Sequence, residues 1–205
     1  MFFSFDGVDG SGKTTQIALF ADFLRLRGHE VVTCRDPGST PLGEQIRTVL
    51  LAHAADMSVG ARSEMFLYMA ARAQLVESVI APALAAGKTV VSDRFLLANV
   101  VYQGFAGGLG VENVWQIGQV ATAGVVPDRV FLLDMSPIDA EGRIARALDR
   151  MERQDQAYRL RLRDGFLAEA TRHPQQIEVI DATGTVAAVH NRIRAAAQRM
   201  LTDRA

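Results

Sequence analysis

The chain has 205 residues and a formal net charge of −1, and 49% of its residues are hydrophobic. This length fits one domain, 1–205, and the hydrophobic fraction excludes a disordered chain. The balanced charge disfavours bulk attraction to nucleic acid or membranes. A lone cysteine, Cys34, excludes an internal disulfide, and no apolar run reaches the roughly 18 residues of a membrane span. We therefore expect a cytoplasmic protein with no nucleic-acid or membrane partner.

Short apolar runs alternate with longer amphipathic segments along the chain. In chain order, the pattern predicts a strand at 2–5, a helix at about 14–27, a strand at 31–34, a helix at 64–86, strands at 89–92, 130–133 and 177–180, and a last helix at about 186–200. Strands that alternate with helices favour an α/β fold with a five-stranded parallel sheet and helices on both faces. In such sheets ligands bind beyond the carboxyl ends of the strands.

A phosphate-binding motif follows the first predicted strand. The segment Gly7-Val8-Asp9-Gly10-Ser11-Gly12-Lys13-Thr14 matches G-x-x-x-x-G-K-[ST], and Thr15 follows within the first helix. Glycines let backbone N–H groups approach phosphate oxygens, and the helix N-terminus adds positive potential. Lys13 is expected to contact the β- and γ-phosphates, and the Thr14 hydroxyl to ligate Mg²⁺. A glycine-rich turn without a ligand is the alternative, and the strand-to-helix context disfavours it.

The motif predicts a bound nucleoside triphosphate but not its use. A GTPase should carry an N-K-x-D motif, which the sequence lacks. A short chain with its phosphate loop near residue 1 fits a small-molecule kinase.

Further segments resemble the thymidylate kinase family, and they follow the family order across almost the whole chain. They are Arg35-Asp36-Pro37-Gly38-Ser39-Thr40 with Leu42-Gly43-Glu44 and Ile46-Arg47; Phe66 to Gln74; Asp93-Arg94-Phe95 with Asn99 and Tyr102-Gln103-Gly104; Pro127-Asp128 with Leu132-Leu133-Asp134; and Leu148-Asp149-Arg150-Met151-Glu152.

This resemblance implies a P-loop NTPase fold with a small mobile lid at about 143–154. It implies transfer of the γ-phosphate of ATP to dTMP, which yields ADP and dTDP, with Mg²⁺ as the cofactor. It also implies a homodimer. Because the acceptor phosphate is already an anion, no protein nucleophile is needed, and catalysis consists of positioning and electrostatic stabilisation.

The resemblance also assigns the substrate-binding residues. Asp9 is expected at the 3′-hydroxyl, and Tyr102 under the sugar, where it disfavours a 2′-hydroxyl. The other expected contacts to dTMP are Pro37, Arg47, Tyr68, Arg72, Arg94, Asn99 and Gln103. The residues alone leave a purely structural role open for four of them. Asp9 could simply stabilise its own loop, and Tyr68 could simply be a buried side chain. Asn99 could be an ordinary turn residue, and Arg47 could lie on a solvated helix face.

The catalytic residues are expected to be Lys13, Asp93, Arg94, Arg146 and Arg150. Asp93 ends a predicted strand, where it can hold Mg²⁺ together with Thr14, although an ion pair with Arg94 is the alternative. The phosphate-loop interior, Gly10-Ser11, carries no arginine, and in family members of this kind the lid supplies the catalytic cation. Arg143 is expected to pack on adenine. Arg143, Arg146, Arg150 and Arg153 share one helical stripe, so a solvated face is their alternative.

Two other functions remain open at this stage. Another nucleoside-monophosphate kinase, of the UMP or CMP type, would differ at the base edge near Arg72 and Asn99 and in the sugar pocket at Tyr102. A non-catalytic nucleotide-binding protein would not need Asp93-Arg94 or lid arginines.

Overall fold

The computed structural model describes residues 1–51, 59–143 and 155–202, with the side chain of residue 202 left aside. Five parallel strands form one sheet in the order β2-β3-β1-β4-β5. They are β1 (Phe2–Asp6), β2 (Val31–Arg35), β3 (Thr89–Asp93), β4 (Arg129–Asp134) and β5 (Ile177–Asp181). The predicted five-stranded parallel sheet is therefore confirmed, with each strand one or two residues longer than expected.

Helices fill the connections between these strands and follow the last strand. They are α1 (Lys13–Arg25), α2 (Pro41–Leu51), α3 (Ala61–Leu75), α4 (Ala81–Ala85), α5 (Leu96–Asn99), α6 (Val111–Thr122), α7 (Pro137–Glu141), α8 (Gln156–Arg172) and α9 (Val186–Thr202). π-Helical segments at Val76–Ile80 and Val100–Ala106 continue α3 and α5. The helix predicted at 64–86 is thus three helical segments in series, which begin at Ala61.

The two faces of the sheet contact different core clusters. Because neighbouring side chains of a strand point to opposite faces, Phe2 and Phe3 lie on opposite sides of β1. Phe3 belongs to a cluster with Phe20 of α1 and Ile193 of α9. Phe2 belongs to a second cluster that includes Met69 of α3 and Val114 of α6. Helices therefore cover both faces, as predicted, and the predicted stripe of α1 (Ile17, Phe20, Phe23 and Leu24) is buried.

Every strand ends on a charged residue at the same edge of the sheet. These residues are Asp6, Arg35, Asp93, Asp134 and Asp181. Asp93 lies opposite Phe5 of β1 and Arg35 of β2 in the strand register. The fold thus gathers polar side chains at the carboxyl edge, next to the phosphate loop. In the described residues, no helix is long and apolar enough to cross a membrane.

Candidate active site

The phosphate loop joins β1 to α1 at this edge. Gly7 has φ +135°, and a Cβ atom there would lie 2.5 Å from the carbonyl oxygen of Leu133 on β4. Glycine is therefore required for the close approach of the loop to the sheet. Gly12, with φ +93°, precedes α1, and no side chain caps that helix N-terminus. Its first backbone N–H groups are thus available to an anion, as the motif predicts.

Lys13 folds back onto the phosphate loop. Its ammonium donates to the carbonyl oxygens of Gly7 and Val8, each at 3.0 Å, and lies 3.7 Å from the Asp9 carboxylate. Burial and the neighbouring Arg94 charge lower the pKa of Lys13, and the Asp9 charge opposes this shift. The loop therefore already holds a cation where the phosphates of a nucleotide are expected.

Arg94 is the centre of a charged cluster next to this lysine. Its guanidinium donates to Asp9 Oδ1 at 2.6 Å, to the Gly7 carbonyl at 3.0 Å and to the Tyr102 hydroxyl at 3.3 Å. The Tyr102 hydroxyl in turn donates to Asp9 Oδ2 at 3.3 Å. Arg94 has φ +64°, a left-handed conformation that is uncommon for a residue other than glycine. Such a backbone conformation often occurs at functional sites.

The charges of this cluster set one another's ionisation. Burial works to raise the pKa of Asp9, but Arg94 and Lys13, together with the hydrogen bonds from Arg94 and Tyr102, hold it well below its usual range. Burial works to lower the pKa of Arg94, and the Asp9 charge reverses this and raises it. Burial also raises the pKa of Asp6, at the end of β1, to about 7. The ion pair of Arg94 is thus with Asp9, across the loop, rather than with its sequence neighbour Asp93.

A second buried ion pair joins α3 to the segment after β2. Arg72 Nε donates to Asp36 Oδ2 at 2.6 Å, and both side chains are almost fully buried, at 1% and 0% exposure. The same guanidinium donates to the carbonyl of Phe95 at 3.3 Å, just before α5. Burial raises the pKa of Asp36, and the charge of Arg72 opposes this. The pair therefore fixes Arg72 beside the segment that carries Asn99.

The remaining predicted dTMP-binding residues lie around these two pairs. Arg47 of α2 donates to the carbonyl of Pro37 at 3.2 Å. Tyr68 packs beside the small buried cluster of Ile46, Leu50 and Ala71. The Asn99 amide nitrogen donates to Gln103 Oε1 at 2.6 Å.

A cavity of about 740 Å³ lies at the carboxyl edge and gathers many of the predicted residues. Its lining includes Asp9, Gly10, Ser11, Gly12, Lys13, Thr14, Thr15, Arg47, Asp93, Arg94 and Arg143. Tyr68, Arg72, Asn99, Tyr102 and Gln103 do not line it. Arg72 and Tyr102 adjoin it through Asp36 and Arg94, which are lining residues. The predicted catalytic residues Arg146 and Arg150, with Arg153, fall outside the described residues.

Several lining residues have no role assigned to them in the sequence analysis. Arg35 ends β2, Asp36 follows it, and Gln16 lies on α1. The far wall consists of Ala182, Gly184, Thr185, Val186 and Val189, after β5. The rule that ligands bind beyond strand ends could have identified this wall, because it begins at Ala182, directly after β5. Arg143 contacts this wall, where it donates to the Ala182 carbonyl at 3.4 Å.

The oxygen donors of the cavity fit Mg²⁺ held jointly with phosphates. Thr14 and Asp93 both line the cavity and offer the hard oxygen ligands that Mg²⁺ prefers. Among the residues that the structure describes, no group of three or more His, Cys, Asp or Glu side chains could form an all-protein metal site. Mg²⁺ is commonly bound by one or two protein oxygens with phosphates and water, and this cavity offers that arrangement.

Comparisons with known proteins agree with this geometry. The family model described as thymidylate kinase matches residues 5–193. The chain is 46% identical to the thymidylate kinase of Desulfosudis oleivorans, over 98% of this chain and 97% of that protein. It is 43% identical to that of Rhodopirellula baltica, over 93% of this chain and 77% of that protein. The crystal structure of thymidylate kinase from Ehrlichia chaffeensis superposes with a TM-score of 0.77 at 30% identity, over 96% of this chain and 97% of that one.

Proposed function

Because the chain belongs to the thymidylate kinase family and is a nucleoside-monophosphate kinase that transfers the γ-phosphate of ATP to dTMP, we propose that the carboxyl-edge cavity is its active site. The observation that carries this proposal is the convergence of Lys13, Arg94 and Asp93 on one cavity, next to an uncapped helix N-terminus. The UMP or CMP alternative has no support from these relatives.

The donor nucleotide has a natural place in this cavity. The phosphates of ATP lie against the phosphate loop, 7–15, where Lys13 and the N–H groups of α1 face them. Arg143 and the wall after β5 hold the adenine. Thr14 and Asp93 would hold Mg²⁺, which would neutralise phosphate charge there.

The acceptor dTMP lies on the opposite side of Arg94. Asp9 accepts from the 3′-hydroxyl, and Arg94 turns from Asp9 towards the two reacting phosphates. Arg47, with Pro37, contacts the acceptor phosphate. Tyr68, Arg72, Asn99 and Gln103 surround the base, and Tyr102 lies under the sugar. Oxygen of the acceptor phosphate then attacks the γ-phosphorus in line, and ADP leaves.

The lid, at about 143–154, completes the proposed active site. Arg150 and Arg146 supply the cation that stabilises charge on the transferred phosphoryl group, because the phosphate-loop interior has no arginine. Closure of the lid excludes water, which would otherwise hydrolyse ATP. The chain is proposed to form one kinase domain, 1–205, around this site.

The proposed assembly is a homodimer in the cytoplasm. Apolar side chains are exposed on three neighbouring helices, since α2 and α6 both contact α3. They are Val49 on α2, Phe66 on α3 and Val120 on α6, at 38%, 56% and 83% exposure. A second copy of this surface would cover them. The mass of the protein in solution tests this assignment, which a monomer at all concentrations would contradict.

Tyr102 provides a test of the sugar pocket. Its ring lies under the Arg94 guanidinium, 5.2 Å from centroid to carbon, and packs edge-on against Phe166. We expect Tyr102→Ala to reduce the preference for dTMP over ribothymidine monophosphate, because removal of the ring opens space for a 2′-hydroxyl. The measurement is kcat/KM for both acceptors.

Tyr102→Phe is the matched control for this test. It keeps the ring and removes only the hydroxyl that contacts Asp9. The control should retain the sugar preference. An unchanged preference in Tyr102→Ala would remove this residue from the sugar pocket.

A further inference from the structure

Three buried side chains form a hydrogen-bonded chain that ends in the segment proposed to hold the base. Gln103 Nε2 donates to Glu64 Oε1 at 2.9 Å, and Asn99 Nδ2 donates to Gln103 Oε1 at 2.6 Å. Glu64, Gln103 and Asn99 are 8%, 3% and 2% exposed. This hydrogen-bonded series thus connects the first turn of α3, through the π-helical segment 100–106, to the end of α5.

The Glu64 carboxylate, at one end, determines which group donates and which accepts in each of these hydrogen bonds. A carboxylate only accepts hydrogen bonds, whereas an amide can present either its oxygen or its NH₂ group. Gln103 must therefore turn its NH₂ group to Glu64 and its oxygen to Asn99. Asn99 must in turn use its NH₂ group on Gln103. Its remaining polar atom, Oδ1, is an acceptor.

This last acceptor is buried and has no hydrogen-bond partner among the described residues. A buried polar atom without a partner is costly, so a donor from a ligand is the natural complement. Arg72 donates to the carbonyl of Phe95, four residues before Asn99 and one helical turn away. Asn99 is therefore one helical turn from a backbone contact of the arginine that is proposed to bind the base.

We infer that Glu64 is a positioning residue that makes Asn99 present an acceptor, and so selects pyrimidines that carry a ring N3–H. This inference rests on the proposed function, which places Asn99 at the base. Thymine and uracil donate from N3, whereas N3 of cytosine carries a lone pair. An Asn99 oxygen facing a cytosine N3 would bring two acceptors together and lose the hydrogen bond.

Glu64→Gln should allow the donors and acceptors of these hydrogen bonds to exchange roles, and it preserves the size of the side chain. The new amide can donate to Gln103 Oε1, so that Gln103 donates to Asn99 Oδ1 and the Asn99 NH₂ group faces the ligand. Among the three side chains, both arrangements then make the same number of hydrogen bonds. The variant should accept a cytosine N3 better than the natural protein does.

The decisive substrates are dTMP, 5-methyl-dCMP and dUMP. The first two differ only at the N3 and C4 edge, and dTMP and dUMP differ only in the 5-methyl group. In Glu64→Gln we expect the ratio of kcat/KM for dTMP to that for 5-methyl-dCMP to fall by about tenfold, as for the exchange of one hydrogen bond. The dTMP to dUMP ratio should stay unchanged. Discrimination should not vanish, because Arg72 still faces the C4 substituent.

Two control variants separate this role from a structural one. Glu64→Asp retains an acceptor-only side chain and should restore the natural discrimination. Glu77→Gln removes the same charge from an exposed position on the following helical segment, and its ratios should equal those of the natural protein.

Gln103→Leu removes the middle side chain of the hydrogen-bonded series. It tests the same inference if Glu64→Gln does not fold. It should lower the dTMP to 5-methyl-dCMP ratio in the same way. An unchanged ratio in folded Glu64→Gln or Gln103→Leu would overturn the inference, and so would a parallel fall of both ratios. If the natural protein itself did not distinguish dTMP from 5-methyl-dCMP, the proposed placement of Asn99 at the base would fail instead.

Discussion

Lys13→Ala is expected to remove nearly all phosphoryl transfer and to leave the protein folded. Lys13 supplies a fixed cation in the phosphate loop, and loss of one preorganised electrostatic contact typically lowers kcat by about a hundredfold to a thousandfold. Its partners are two loop carbonyls and the Asp9 carboxylate, which Arg94 also contacts. The fold therefore does not depend on this side chain alone. The measurements are ADP release in the presence of dTMP and thermal unfolding.

Lys88→Ala is the matched control for this prediction. Lys88 pairs with Glu30 at 3.1 Å on a partly exposed surface, outside the cavity lining. Its removal should leave kcat unchanged. Near-normal turnover in Lys13→Ala would refute the assignment of the phosphate loop to the triphosphate.

Arg72→Met is expected to have the largest effect on stability. Arg72 and Asp36 form an ion pair that is almost entirely buried, so removal of the arginine leaves an uncompensated buried carboxylate. Loss of one partner from such a pair typically lowers the free energy of unfolding by about 3–5 kcal/mol. Denaturant unfolding measures this change. The KM for dTMP should rise as well, because the same guanidinium is proposed to contact the base.

The stability deficit of Arg72→Met should depend on pH. Without Arg72, burial raises the pKa of Asp36 above its value in the unfolded chain. The folded variant then binds more protons than the unfolded one, so its stability falls as pH rises through the interval between the two pKa values. The deficit should therefore be smaller at mildly acid pH than at neutral pH.

Two further variants identify the ion pair as the cause. Asp36→Asn leaves the arginine unpaired and should also destabilise the protein, whereas the double variant should lose less than the sum of the two. Arg62→Ala removes an exposed arginine from the same helix and should have little effect. Strict additivity of the two single changes would contradict the coupling.

The sheet and the phosphate loop follow from local patterns in the sequence. Alternation of short apolar runs with amphipathic segments is enough to predict five parallel strands, and the loop motif lies where a strand must turn into a helix. The helix predicted at 64–86 is harder to define from the sequence, because Pro82 and a π-helical turn lie within one continuous apolar pattern. Local periodicity does not distinguish one helix from three segments in series.

The partners of the buried charges could not be predicted from the sequence. Arg72 pairs with Asp36 and Arg94 with Asp9, at separations of 36 and 85 residues. Such contacts depend on how the strands are ordered in the sheet, and no spacing rule encodes them. The role proposed for Glu64 could not be predicted for the same reason, since its partner Gln103 is 39 residues away. Family resemblance places residues at a site, but it does not give their hydrogen-bond partners.

The most direct test is a coupled ADP-release assay with Mg·ATP and each nucleoside monophosphate in turn, with ATP alone as the control. Strong turnover with dTMP, well above that with UMP or CMP, is the predicted result. The proposed Asn99 acceptor and Arg72 guanidinium disfavour cytosine, and the proposed position of Tyr102 under the sugar disfavours the 2′-hydroxyl of a ribonucleotide. Preference for UMP or CMP would contradict the assignment of Arg72, Asn99 and Tyr102 to a thymidine pocket. ADP release that does not depend on any monophosphate would contradict the kinase mechanism as a whole.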